Sequence, residues 1–213
     1  YCAENIFKPL GMKDTGFRPA SSLHNRIAPT QYRRGRLLCG VAHDPSCDTM
    51  GGVAGHAGLF STADDLSIFA QMLLNGGSYR GRQILSSKTV ERMTSPQSPP
   101  GKKKLRGLGW DLEAPFVSNR NELPPLGAYG HLGYTGTALW LDPITDTYII
   151  LLTNRVHPDG KGDVKELRSE IKKVVADALG PLSAGQIGKV MTGIDILSAD
   201  NFSPLKGLRV GLI

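Results

Sequence analysis

Apolar positions recur at helical spacing in two stretches of this chain. Leu66, Phe69, Ala70, Leu73 and Leu74 fall at i, i+3, i+4, i+7 and i+8, which predicts a helix from about Thr62 to Asn75 with one apolar stripe. Thr62 is placed to cap its amide end, with Asp65 at the third position to complete a capping box. Asp64 and Asp65 suit the positive end of the helix dipole, and Gly76-Gly77 stop the helix. A second pattern, Val164, Leu167, Ile171, Val174, Val175 and Ala178, predicts a core-facing helix from about Asp163 to Leu179, ended by Gly180-Pro181. A shorter helix is expected between Ser86 and Pro96. Residues 5–12 read as the end of a helix, with Gly11 free to take the left-handed closing conformation.

Between these helices the pattern shortens to that of strands. Strands are expected at Gly107–Leu112, Ala128–Gly133, Thr137–Leu141 and Thr147–Thr153. The last, Thr-Tyr-Ile-Ile-Leu-Leu-Thr, is almost continuously apolar, which predicts a central strand covered on both faces. Pro143-Ile144-Thr145-Asp146 would join the last two as a hairpin. Residues 13–60 are Gly-rich and polar and read as irregular, with extended stretches near Ile27–Arg33 and Arg36–Val41. The order predicts an α+β domain: an antiparallel sheet flanked by helices. After Pro181 the composition shifts to Ser, Gly and Ala. That reads as a linker, then Asp195–Lys206, then a new strand at Leu208, and a domain boundary is placed near residue 181.

Composition narrows the class. The 213 residues are 40% hydrophobic and 21% charged with a net charge of +6, a globular balance that excludes disordered and fibrous chains. No apolar run approaches the ~18–20 residues of a membrane span. Three cysteines are too few, and odd in number, for a disulfide scaffold. The chain opens on Tyr1 and closes on a strand-like Arg209–Ile213, so it is expected to be an internal piece of a longer protein. Lys102-Lys103-Lys104 and Arg106 follow Pro99-Pro100-Gly101 with no aromatic nearby, which reads as a solvated loop and not a nucleic-acid surface.

The segment Gly130-His131-Leu132-Gly133-Tyr134-Thr135-Gly136 carries the main candidate chemistry. Its glycines would let a substrate backbone approach, the free amides of an edge strand could hydrogen-bond an extended substrate and stabilise an oxyanion, and the imidazole could donate to a developing charge or to a carboxylate. An equally simple reading is a tight strand–bulge–strand with a satisfied His. Cys39, His43, Asp44, Cys47 and His56 cluster in sequence, but their spacing fits no zinc pattern, and no metal is expected. Gly51–Thr62 lacks the Lys-Ser/Thr of a phosphate loop, so no nucleotide cofactor is expected, and close packing of a loop against a cleft is the better reading.

Ile6-Phe7-Lys8-Pro9-Leu10-Gly11-Met12, then the Gly-rich loop into Ser61-Thr62-Ala63-Asp64-Asp65-Leu66, then His131-Leu132-Gly133 resemble, in order and spacing, the penicillin-recognising serine hydrolases. Within them the chain is similar to the class C β-lactamase, D-alanyl-D-alanine carboxypeptidase and esterase group, over roughly residues 1–180. The resemblance implies a β-lactamase/transpeptidase-like fold, present in part, and acyl-enzyme chemistry on lactam, D-Ala peptide or ester substrates. It assigns His131 to the third motif, near the substrate carboxylate and the proton-transfer network. It assigns the backbone N–H of Tyr134 to the oxyanion hole, and Gly133, Thr135 and Gly136 to substrate binding. A register placing the motif at Tyr134-Thr135-Gly136 is the alternative.

The family's Ser-x-x-Lys and Tyr-x-Asn motifs have no counterpart here. Only Ser169–Lys172 and Ser203–Lys206 have the first spacing, both after the third motif, and none of the six Tyr has Asn two residues on. The nucleophile is therefore expected upstream of Tyr1, and the isolated 213 residues are expected neither to hydrolyse nor to fold well. Residues 190–197 and 202–213 resemble the opening of the exo-β-N-acetylmuramidase family, which implies a hydrolase part over 1–180, a linker at 181–190 and the start of a second, α/β domain at 191–213. Together the two resemblances imply a peptidoglycan-directed protein, periplasmic or extracellular, acting on a small-molecule or peptidoglycan-peptide substrate. A non-catalytic peptidoglycan-binding module fused to a muramidase is the alternative.

Overall fold

The computed structural model describes residues 1–99, 105–112 and 129–180. The expected basic loop at 102–104, the linker and the second domain lie outside them. The chain divides into two units: Tyr1–Phe69 with Gly133–Thr137 and Leu151–Val164, and Ala70–Leu132 with Ala138–Ile150 and the chain from Lys165 onward.

In the first unit, a wide π-type turn at Ala3–Phe7 leads into helix α1 (Lys8–Leu10), closed by Gly11 at φ 75° as the sequence predicts. Phe7, Leu10 and Met12 are buried there. The stretch expected to be irregular is more structured than its polarity suggests. Strand β1 (Gly16–Phe17) pairs antiparallel with β4 (Leu59–Phe60), and β2 (Tyr32–Arg33) pairs with β3 (Arg36–Leu37). The two long extended stretches thus contract to one short hairpin. Its turn has Arg34 and Gly35 at positive φ. A 3-10 helix at Ser21–Arg26 and helix α2 (Pro45–Thr49) complete this unit, the latter capped by Asp44 Oδ1, which accepts the Cys47 N–H at 2.8 Å.

Helix α3 (Ala63–Leu74) begins where the pattern places it, with Thr62 Oγ1 accepting the Asp65 N–H at 3.2 Å. The capping box does not close through Asp65. Its carboxylate accepts from the Asp14 N–H at 2.8 Å and from the Thr15 hydroxyl at 2.7 Å, tying the helix to the chain after α1. The division between the units falls within α3.

In the second unit, α3 ends at Gly76 and Gly77, both at positive φ, and Ala70, Met72 and Leu73 are buried. A hairpin of β5 (Ser78–Tyr79) and β6 (Arg82–Gln83) precedes α4 (Ser87–Thr94), whose Ser86 cap accepts the Thr89 N–H at 3.1 Å. The main sheet has five strands in the order β11-β10-β9-β8-β7, with β7 Leu105–Arg106, β8 Asp111–Leu112, β9 Tyr129–Leu132, β10 Ala138–Asp142 and β11 Thr147–Leu151. The single strand expected at 107–112 is instead a hairpin. Gly107 N–H bonds Trp110 O at 2.9 Å and Gly109 takes φ 83°, which turns the chain. Strand β11 is an edge strand among the described residues and is half-buried throughout, not covered on both faces. Trp110 packs edge-on against Tyr129 at 5.1 Å, and Leu112, Trp140 and Leu141 are buried with them. Helix α5 (Lys165–Leu179) also departs from expectation: Leu167 and Val174 of its apolar stripe are each 39% exposed. Among the described residues no helix is long and apolar enough to cross a membrane.

Candidate active site

The candidate segment is the end of β9 and the turn that follows it. On β9, Gly130 is covered by β10: a Cβ there would lie 2.6 Å from both Leu139 O and Trp140 Cδ1. Strand alternation puts Tyr129 and His131 on one face. Tyr129 is buried, its hydroxyl pKa pushed up by burial, whereas His131, nearer the strand end, is exposed. His131 pairs across the ladder with Leu139, and Leu132 with Ala138, while β8 pairs with Tyr129 and Gly130 on the other side, so β9 is an interior strand and not the edge strand expected.

The turn at 133–137 belongs to the first unit, and its carbonyls are held by its own backbone and by Thr153 and Arg155. Gly133 N–H donates to Thr137 O at 2.7 Å, and Gly136 N–H to Gly133 O at 3.1 Å. Tyr134 O accepts from Arg155 Nε at 2.7 Å, Thr135 O from the Arg155 N–H at 2.8 Å, and Gly136 O from the Thr153 hydroxyl at 2.6 Å. Every carbonyl from 133 to 136 is thus an engaged acceptor. The N–H groups of Tyr134 and Thr135 have no acceptor among the described residues. The backbone of the turn thus keeps two N–H donors without a partner among the described residues and no unengaged carbonyl from 133 to 136, an arrangement suited to an anionic oxygen.

Gly136 makes this geometry possible. It sits at φ 124°, and a Cβ would stand 2.7 Å from Thr153 O and 2.8 Å from Arg155 N. The Tyr134 ring is 70% exposed. The Arg155 guanidinium lies 4.3 Å from its centroid, and the His43 ring stacks at 5.8 Å. His43 Nε2 donates to Gln31 Oε1 at 2.9 Å, and the Arg33 guanidinium donates to the His43 carbonyl. Burial first, then the Arg33 and Arg155 charges, hold the His43 pKa below its usual value, while Asp44 acts the other way. Arg155 and His43 were missed as partners of Tyr134 by the sequence reading. Their contacts close over 21 and 91 residues of chain, and no local pattern announces them.

The other sequence cluster is dispersed into structural roles. Asp44 caps α2 and pairs with His56 at 3.1 Å, and its carboxyl pKa is lowered chiefly by the Cys47 N–H. Cys47 is buried and donates to Ala57 O, and Cys39 donates to His24 O. Among the described residues no three such side chains converge. The Gly-rich loop packs tightly in its own unit: a Cβ on Gly58 would collide with Gly52 O and lie 2.8 Å from Cys47 Sγ.

The family model described as Beta-lactamase matches residues 1–171. A protein of Escherichia coli O157:H7 that carries the provisional name D-alanyl-D-alanine carboxypeptidase is 34% identical over 176 residues, covering 74% of this chain and 40% of that protein. A protein of the same provisional name from Salmonella enteritidis PT4 is 36% identical over 182 residues, with the same coverage of 74% and 40%. The chain thus spans about 40% of the length of these curated relatives. Among solved structures, unliganded simvastatin synthase (LovD) from Aspergillus terreus aligns with a TM-score of 0.59 at 18% identity, over 84% of this chain and 49% of that one. A penicillin-binding protein homolog from Caulobacter crescentus aligns with a TM-score of 0.51 at 21% identity, over 79% and 49%. The α+β fold with its antiparallel sheet is shared with these structures, and the chain belongs to the β-lactamase family.

Proposed function

We propose that this chain is the C-terminal part of a serine-hydrolase domain that works through an acyl-enzyme, on a D-Ala peptide, lactam or ester substrate of cell-wall metabolism. The observation that carries the reading is the donor-only backbone of the 133–136 turn. With all four carbonyls of residues 133–136 engaged, the N–H of Tyr134 is left to receive the oxygen of a tetrahedral intermediate. Tyr134 follows His131 by three residues, just past the end of β9 at Leu132, and this spacing supports the third-motif assignment that the resemblance implies. The His131 register is preferred because it sets the motif on a strand end. The alternative at Tyr134–Gly136 would lie wholly within the turn. On this reading His131 serves the substrate carboxylate and proton-transfer network, Gly133 and Thr135 line the substrate, and the buried Gly136 serves substrate binding through the turn it shapes.

The attacking Ser, its Lys and the Tyr-x-Asn motif would be contributed by chain that precedes Tyr1, so the 213 residues alone are not expected to turn over substrate. Residues 1–180 form the hydrolase part, 181–190 a linker and 191–213 the start of an exo-β-N-acetylmuramidase-like domain. Such a fusion would act on peptidoglycan outside the cytoplasm. The names of the E. coli and Salmonella relatives support the substrate class.

The test is acylation of the full-length protein by a fluorescent penicillin and a p-nitrophenyl ester, with the adduct mapped by mass spectrometry. An adduct on a Ser upstream of Tyr1 is expected, and a protein inert to both reagents refutes the reading. A second reading, a peptidoglycan-binding module without catalysis, is favoured by the lack of Ser-x-x-Lys at any helix start among the described residues. The residues encoded upstream of Tyr1 separate the two: Ser-x-x-Lys and Tyr-x-Asn favour the enzyme, and their absence the module.

A further inference from the structure

We infer that Arg155 is the positioning residue of the oxyanion site, holding the Tyr134 amide outward through the turn it clamps; this rests on the acyl-transfer reading of that turn. Arg155 binds two consecutive turn residues with three different parts of itself. Its main-chain N–H goes to Thr135 O at 2.8 Å, its Nε to Tyr134 O at 2.7 Å, and its guanidinium plane lies 4.3 Å from the Tyr134 ring centroid. The far end of the guanidinium is itself anchored, with Nη1 donating to Gly162 O at 3.1 Å. A fork held at both ends loses little further freedom on forming each bond, which is why arginine suits the task better than lysine.

Two effects follow for the Tyr134 N–H. A turn whose carbonyls were free could relax by rotating a peptide plane, turning an oxygen toward the place where the amide now points. Arg155 removes two of those oxygens from play, and the Gly136 N–H and Thr153 hydroxyl remove the others. The donor is thus pre-aimed, which is the property that gives an oxyanion hole its rate effect. The guanidinium also brings a full positive charge next to the turn. Among the described residues Arg155 has no carboxylate within ion-pair distance to cancel it. Arg155 acts through the peptide it holds and not by touching the reacting atoms.

The experiment compares wild type, Arg155→Met and Arg155→Lys in the full-length protein, with two readouts. The first is steady-state hydrolysis of a p-nitrophenyl ester. Losing an oxyanion donor costs about 10²–10³ in rate, and a loosened one should cost about tenfold to 10². R155M is expected to lower kcat by that factor with KM changed less than about threefold, and R155K to recover part of it. The second is amide hydrogen exchange at Gly136, whose bond to Gly133 O closes the turn; R155M should speed it at least about tenfold. An active wild type with kcat unchanged in R155M, or with the whole effect in KM, overturns the positioning role while leaving the hydrolase reading intact. An inert wild type with faster Gly136 exchange in R155M overturns the hydrolase reading and the catalytic consequence, and leaves the clamp standing. Unchanged exchange overturns the clamp whatever the activity.

Discussion

Asp65 accepts the hydroxyl of Thr15 at 2.7 Å, across 50 residues of chain. The same oxygen accepts the Asp14 N–H, and the Thr15 hydroxyl in turn lies 2.7 Å from Ser61 Oγ. Asp65 is only 6% exposed, and the Asp14 N–H and Thr15 hydroxyl reach it through part-buried bonds. Removing the carboxylate takes the acceptor from both of these donors, which costs about 1–3 kcal/mol. Asp65→Ala is therefore expected to lower the stability of the full-length protein by about 2 kcal/mol. Asp65→Asn, which keeps an acceptor oxygen for Asp14, should lose less. Urea denaturation of the three proteins checks the order.

That pair also marks the limit of what the sequence disclosed. Thr62, Gly76-Gly77, Ser86 and Gly11 act where their local chemistry places them, because a cap or a stop concerns residues within one turn of each other. Asp65 has two outlets, its own helix start and the distant Thr15, and only the fold decides between them. The apolar run of β11 could report burial of both faces or an edge awaiting cover, since hydropathy does not record a strand's neighbours. The strand–turn–strand around His131 was legible from its glycines. The Arg155 clamp was not, because an arginine after an apolar strand looks like any solvated charge.

Gly136→Ala should abolish the donor-only backbone of the 133–136 turn. At φ 124° a side chain is strained in itself, and the new methyl would press on Thr153 O and Arg155 N, both of them backbone atoms that cannot step aside. A destabilisation of about 2–4 kcal/mol is expected, well above the usual effect of a surface change. Acylation should fall more steeply than stability does, since the shift in 153–155 would also release the Tyr134 and Thr135 carbonyls. Thermal unfolding and the acylation rate at a temperature where the variant is still folded separate the two effects.

The His43 pKa gives a pH dependence with a definite sign. Burial and the Arg33 and Arg155 charges push it below 6.5, so the folded state resists a proton that the unfolded chain accepts. Well above pH 6.5 both states are neutral there and the residue contributes no pH dependence. As the pH falls through 6.5 the unfolded state binds the proton first, and stability declines until the folded-state value is passed. His43→Gln, which keeps a donor toward Gln31 but cannot titrate, should flatten this part of the stability profile. Guanidinium denaturation between pH 8 and 5 measures it; an identical decline in the variant would assign the effect to other groups.

His131→Ala isolates chemistry from structure. The side chain is exposed and makes no hydrogen bond or ion pair among the described residues, so its removal should change stability by no more than about 0.5 kcal/mol. A group that serves proton transfer in the transition state, by contrast, is worth about 10²-fold or more in rate. On the proposed reading, H131A in the full-length protein lowers the acylation rate constant by about that factor while the concentration of substrate giving half-saturation moves little. Stopped-flow acylation with a fluorescent penicillin resolves the two quantities in one series. If the rate constant were unchanged and only half-saturation rose, His131 would be a ground-state contact for the substrate carboxylate. If neither moved, the motif would owe its place to the strand end that Gly130 and Gly133 shape, and the imidazole would have no part in the reaction.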